Sequence, residues 1–176
     1  MTSTRQTNSY GFTLIELLIV IVVVGILSGI TTVAYGNVQK RALNSSRLSE
    51  MKAWDKHFQL YKAINGSYPS MPSADYCLGT GFPNGKCRDY ESTDPAYGYD
   101  QTAALPLTNQ LASVGKLPSG PRVPIDGTVG PYITYWGGGY WISQVFNGKA
   151  NECPADTIFS WHNGDDLLIC GIDRQQ

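Results

Sequence analysis

Residues 11–27 read G-F-T-L-I-E-L-L-I-V-I-V-V-V-G-I-L, and the rest of the 176-residue chain is organised around this run. No residue from Leu17 to Gln39 is charged. As a helix those 23 residues rise about 34 Å at roughly 1.5 Å each, enough for a ~30 Å hydrocarbon core. Thr31, Thr32, Tyr35 and Asn37 make the far end less apolar. The run predicts a membrane-spanning helix, or one that becomes buried against other helices.

Glu16 narrows the choice. A cleaved secretory signal has a basic start, an apolar stretch and small residues at the cut. Here only Arg5 is charged before the run, although S-G-I-T-T-V-A-Y-G, residues 28–36, offers small residues for such a cut. Neither that reading nor a plain anchor has a use for a carboxylate where the apolar run starts. A charge deep in a membrane costs ~2.5–3.5 kcal/mol on insertion scales, less near the interface, so Glu16 needs a partner.

The whole set G-F-T-L-I-E-L-L, residues 11–18, at the end of a short polar leader and ahead of an apolar run resembles the processing site of the type IV pilin and type II secretion pseudopilin family. The resemblance implies that a membrane-embedded prepilin peptidase removes residues 1–11 by cutting after Gly11, and that the new N-terminal Phe12 is N-methylated. It further implies that Glu16 pairs with the N-terminal amine of a neighbouring subunit. That fits the physics, because a carboxylate and an ammonium in low dielectric each need an opposite charge. Many relatives carry a helix-kinking proline where this chain has Val33. Here Gly25, Gly29 and Gly36 with Ser28, Thr31 and Thr32 supply small residues that allow close helix approach instead. Charge counting alone points the other way on orientation. Lys40, Arg41, Arg47, Lys52 and Lys56 follow the run and would hold that side in the cytoplasm, whereas the family places the C-terminal head outside. The cysteines side with the family.

Past residue 39 the helical pattern continues. No proline appears before Pro69, and Met51, Trp54, Phe58 and Tyr61 recur at steps of 3, 4 and 3, one apolar stripe on an amphipathic helix. Lys40, Arg41, Arg47, Glu50, Lys52, Asp55, Lys56 and Lys62 are expected on the other faces. Asn65-Gly66 suits a left-handed cap, and Tyr68-Pro69 forces extended chain. The segment L-Y-K-A-I-N-G-S-Y-P, residues 60–69, also resembles the family, its major pseudopilins in particular.

The remainder changes character. Residues 65–176 hold 6 Lys+Arg against 11 Asp+Glu, while residues 12–64 hold 6 against 3, so an acidic head follows a basic helix. Prolines at 72, 83, 95, 106, 118, 121, 124 and 131 break residues 70–131 into loops, with a short helix expected at Leu105–Ser113. Tyr132–Trp136, Tyr140–Phe146, Thr157–Trp161 and Leu167–Ile172 read as strands, joined by turns at Gly137-Gly138-Gly139 and at 162–166. The expected fold is α+β and pilin-like: a long N-terminal α-helix packed on a C-terminal antiparallel β-sheet of about four strands. The divisions are 1–11 leader, 12–39 transmembrane and filament-core helix, 40–66 amphipathic half of the same helix, and 67–176 head.

Four cysteines in such a head fit an oxidising compartment. Of three pairings, the expectation is Cys77–Cys87 around a compact Gly/Pro loop and Cys153–Cys170 at the edges of the last hairpin; in the family's pilins a disulfide often closes a C-terminal loop, and the second pair would be its counterpart. A zinc site is disfavoured, since no C-x2-C pair occurs. Asp165, Asp166 and Asp173 raise a calcium site of the kind some pseudopilins have, but a solvated acidic turn is the plainer account. No cofactor is expected. His57 and His162 accompany no nucleophile motif and no P-loop, so an enzyme is not expected. A net charge of −1 lacks the basic surface of a nucleic-acid binder. The aromatic group Trp136/Tyr140/Trp141 reads as sheet core or, alternatively, as an exposed platform for a sugar or surface ligand.

The sequence therefore leads to a structural filament subunit in the cytoplasmic membrane, single-pass, that ends in a pilus, at the cell surface or in a periplasmic filament. Its partners would be prepilin peptidase, other pilin subunits, the inner-membrane assembly platform and lipid. A type II secretion pseudopilin and a membrane-anchored surface-binding module are the alternatives.

Overall fold

The computed structural model describes residues 12–88, 99–136, 139–149, 152–163 and 167–175. One helix, α1, runs from Leu14 to Asn65, 52 residues without a break. It stops where the sequence says it should: Gly66 takes φ +81°, and its N–H donates to the Lys62 carbonyl at 2.8 Å. The chain falls into two compact units, one ending at Gln39 and the other comprising Lys40–Gln176.

In the second unit an antiparallel sheet packs on the C-terminal half of α1. Its strands are β1 (Asp75–Cys77), β2 (Tyr132–Trp136), β3 (Gly139–Asn147), β4 (Ile158–Asn163) and β5 (Leu167–Gln175), in the order β1-β2-β3-β5-β4. The four expected strands are all present. Three are longer than their sequence cores, because pairing with a neighbour extends a strand past its apolar residues. β1 is an addition, a three-residue edge paired with Thr134, Ile133 and Tyr132, too short for any periodicity to announce. A second helix, α2, spans Leu105–Ala112, where a short helix is expected.

Alternation along the strands gives the sheet two faces. The inner face, with Ile133, Tyr135, Ile142, Phe146, Leu168 and Cys170, closes on Met51, Trp54 and Phe58 of α1 and on Leu107 and Leu111 of α2. Phe58 and Tyr140 meet with ring centroids 4.7 Å apart. The outer face is covered at one end by a smaller cluster, in which Phe82, Cys87 and Val129 lie on Tyr132, Val145, Leu167 and Ile169. The disulfides Cys77–Cys87 and Cys153–Cys170 close loops of 10 and 17 residues.

The charged side of α1 corrects the expectation. Arg47, Glu50, Asp55 and His57 are not on solvated faces; all four are buried. Loop and strand ends from far along the sequence wrap the helix and bring a partner to each of them. Arg122 Nη1 lies 2.8 Å from Glu50 Oε1, and Gln144 reaches Glu50 Oε2 at 3.4 Å. An Arg47 amine donates to the Val123 carbonyl. Asp55 accepts from Arg174 at 3.0 and 2.8 Å and from the Tyr140 hydroxyl at 3.0 Å. His57 Nε2 contacts the Leu111 carbonyl at 3.1 Å. Burial pushes the Arg47 guanidinium down to about 10, with Glu50 opposing the shift. Burial likewise pushes the Glu50 carboxyl up, against the charge of Arg122. Burial, with Asp55 beside it, holds the Tyr140 phenol well above its ordinary value.

Candidate assembly site

Local chemistry fixes the start of α1. Thr13 Oγ1 accepts from the Glu16 backbone N–H at 3.3 Å. In return Glu16 Oε2 accepts from the Thr13 backbone N–H at 2.8 Å and from its hydroxyl at 2.7 Å. This reciprocal capping box satisfies two backbone donors that a helix start leaves orphaned. Sequence reasoning passed it over, although T-x-x-E at residues 13–16 ahead of an apolar run is its signature. Glu16 thus has an intramolecular partner in the isolated chain, one turn from the predicted new N-terminus.

Among the described residues the apolar side chains that follow stay exposed. Phe12 is 90% exposed and Leu14 82%, and Ile15 to Val24 are all between 47% and 64% exposed wherever they are apolar. Nothing stands within 4 Å of where a Cβ would project at Gly25 or Gly29. Ser28 Oγ donates to the Val24 carbonyl at 2.7 Å, so its hydroxyl asks for no outside partner. A contiguous apolar surface of this extent marks an interaction surface for protein or lipid.

Residues 6–32 match the prokaryotic N-terminal methylation motif. The chain carries the type IV pilin and pseudopilin signature. No curated protein and no solved structure matches it. The pilin signature covers Gly11, Phe12 and Glu16 and ends at Thr32, so the whole head lies beyond it. It belongs to a structural class of protein and implies processing by prepilin peptidase and assembly with other pilin subunits. Gly11 and the leader before it lie outside the described residues. Among the described residues no helix is long and apolar enough to cross a membrane.

The other candidates sort as follows. Asp165 and Asp166 lie outside the described residues, and among those described no three His, Cys, Asp or Glu side chains gather to hold a metal. Asn163 and His162 belong to β4 rather than to a turn. Of the aromatic group, Tyr140 is core, fully buried against Phe58 and Asp55. Trp136 and Trp141 are only partly buried and stand on the outer face.

Proposed function

We propose that this chain is the precursor of a structural subunit of a type IV pilus or related filament. Residues 1–11 are the leader, 12–39 the membrane and filament-core segment, 40–66 the amphipathic half of α1, and 67–176 the head. The peptidase cuts after Gly11, and Phe12 becomes the methylated N-terminus. The observation that carries this reading is the methylation motif at 6–32 lying on a helix whose apolar side chains are exposed from Leu14 onward. Packing such helices together removes apolar surface from solvent or lipid and drives assembly. Glu16, at the mouth of that helix, leaves its capping contact to meet the Phe12 amine of an axially shifted neighbour and sets the register. In the membrane the leader side is cytoplasmic and the head lies outside, where the disulfides are stable.

The resemblance of residues 60–69 to major pseudopilins favours a secretion pseudopilus as the second reading. Both readings share the same processing and helix burial.

Intact mass and N-terminal sequencing of the protein extracted from its native membrane test the proposal. The expected product begins at N-methylated Phe12. A chain that begins at Met1 or near Tyr35 sinks it.

A further inference from the structure

A second stripe runs along α1. Ala53, Lys56, His57 and Leu60 recur at helical spacing, on a different side of the helix from Met51, Trp54 and Phe58. Ala53, Lys56 and Leu60 are exposed, and so is Ile64 one turn further on. The loop after α2 brings exposed Lys116 and half-buried Pro118 alongside. These residues line an open cleft of about 290 Å³, with buried His57 held by the Leu111 carbonyl at 3.1 Å.

The cleft is apolar and carries positive charge. Ala53, Leu60 and Pro118 supply the apolar part, Lys56 and Lys116 the charge, and no carboxylate lines it. Among the described residues neither lysine has an ion-pair partner, whereas Glu50, Lys52 and Asp55 on the same helix are paired with Arg122, Asp156 and Arg174. Two uncompensated ammonium groups beside apolar surface suit an acidic segment that also brings an apolar or aromatic side chain. The volume lies at the small end of the ~300–1,000 Å³ of small-molecule sites, room for single side chains.

We propose that this cleft docks a second copy of this chain through its segment 89–98. That segment reads D-Y-E-S-T-D-P-A-Y-G, with three acids, two tyrosines and no base, and lies outside the described residues. It belongs to a head whose residues 65–176 hold 11 Asp+Glu against 6 Lys+Arg. The residues at its two ends, Arg88 and Tyr99, lie against Tyr132 on the outer face of the sheet, whereas α1 packs on the inner face. The sheet stands between those ends and the cleft of the same chain, so the cleft within reach is a neighbour's. The proposal rests on the filament reading for bringing copies side by side, and deepens it.

The test has two arms. In the first, a fluorescent peptide of residues 88–99 is titrated onto the full-length chain in a zwitterionic detergent and read by anisotropy, with dihexanoylphosphatidylglycerol as the lipid probe. The peptide is expected to bind, several-fold more weakly at about 500 than at 50 mM salt. Lys56→Glu with Lys116→Glu should weaken it about tenfold or more at an unchanged melting point, and a peptide with Glu91→Lys and Asp94→Lys should bind that double variant better than the wild type. No binding, binding that the double variant leaves intact, or lysine-dependent binding of the lipid alone overturns the proposal. In the second arm, the lysine double variant should lower filament yield several-fold, and adding Glu91→Lys and Asp94→Lys to the same chain should restore it. Wild-type yield from the lysine double variant also overturns the proposal. A wild-type chain that begins at Met1 and forms no filament sinks the filament reading instead, and the peptide arm then decides the cleft by itself.

Discussion

Arg122 and Glu50, 72 residues apart, meet at 2.8 Å with the Glu50 side chain 1% exposed and that of Arg122 13% exposed. The pair ties the loop after α2 to the buried side of α1. Gly120 makes the approach possible: a Cβ there would come 2.2 Å from Glu50 Oε2 and 3.0 Å from its Cβ. Arg122 is held over the Phe82 ring at 4.5 Å, so the same side chain also fastens the loop closed by Cys77–Cys87.

Removing one member of a buried pair strands the other. Arg122→Met should cost ~3–5 kcal/mol at neutral pH. The pH dependence has a definite sign. Because burial raises the Glu50 pKa in the fold, the folded state holds its proton more tightly than the unfolded one. Its stabilising contribution is then fully present below the unfolded value near 4.5 and is lost as pH rises through the higher folded value. Thermal melts at acid and neutral pH should show a smaller Arg122→Met penalty in acid, and Glu50→Gln should gain on the wild type as pH rises. Parallel melting curves at both pH values contradict this.

Glu16 caps its own helix and, in the proposed assembly, also pairs with a neighbour; one substitution separates the two roles. Glutamine sustains a capping box as glutamate does, but it carries no charge. Glu16→Gln should keep amide-exchange protection at Leu17 and abolish incorporation into filaments. Thr13→Ala should loosen the first turn by ~1 kcal/mol and raise exchange there. Filaments of Glu16→Gln at wild-type yield would remove the charge from the account of assembly.

Cys170 belongs to the inner core and Cys153 packs at its edge. Replacing both by serine releases a 17-residue loop and should cost ~3 kcal/mol in the chain-entropy picture. In the oxidised protein, differential scanning calorimetry of the double variant should show a melting point lower by roughly 10 °C.

Gly171→Ala puts a methyl group where the edge of the Trp141 indole lies. The ring must leave or the strands must separate, at ~1–3 kcal/mol for the overpacking. Near-ultraviolet circular dichroism should lose its Trp141 contribution while the far-ultraviolet spectrum is kept. An unchanged aromatic spectrum contradicts the placement of the ring.

Local features were readable from the sequence and long-range ones were not. The helix end at Asn65-Gly66, the stripe Met51-Trp54-Phe58-Tyr61 and the four main strands follow from spacing and turn chemistry alone. The charged residues of α1 did not yield to the same logic. Arg47, Glu50 and Asp55 look solvent-facing because their partners, Val123, Arg122 and Arg174, lie 76, 72 and 119 residues away. No local period encodes such pairings. The capping box is local too, written in T-x-x-E at residues 13–16. The outer-face row Asp75-Thr134-Trp141-Asp173 needed the strand register, since residues so far apart in the chain are aligned only by the order β1-β2-β3-β5-β4.

That strand order also governs how the sheet closes. β5 follows β4 in the chain yet is interior: it pairs with β3 along nine residues on one side and with β4 on the other. Chains grow from the N-terminus at ~5–20 residues per second, so until β5 has been made a nascent head has a gap in the middle of its sheet and β4 has no neighbour. Cys153 waits for the same strand, which carries Cys170. One strand thus closes both the sheet and the second disulfide.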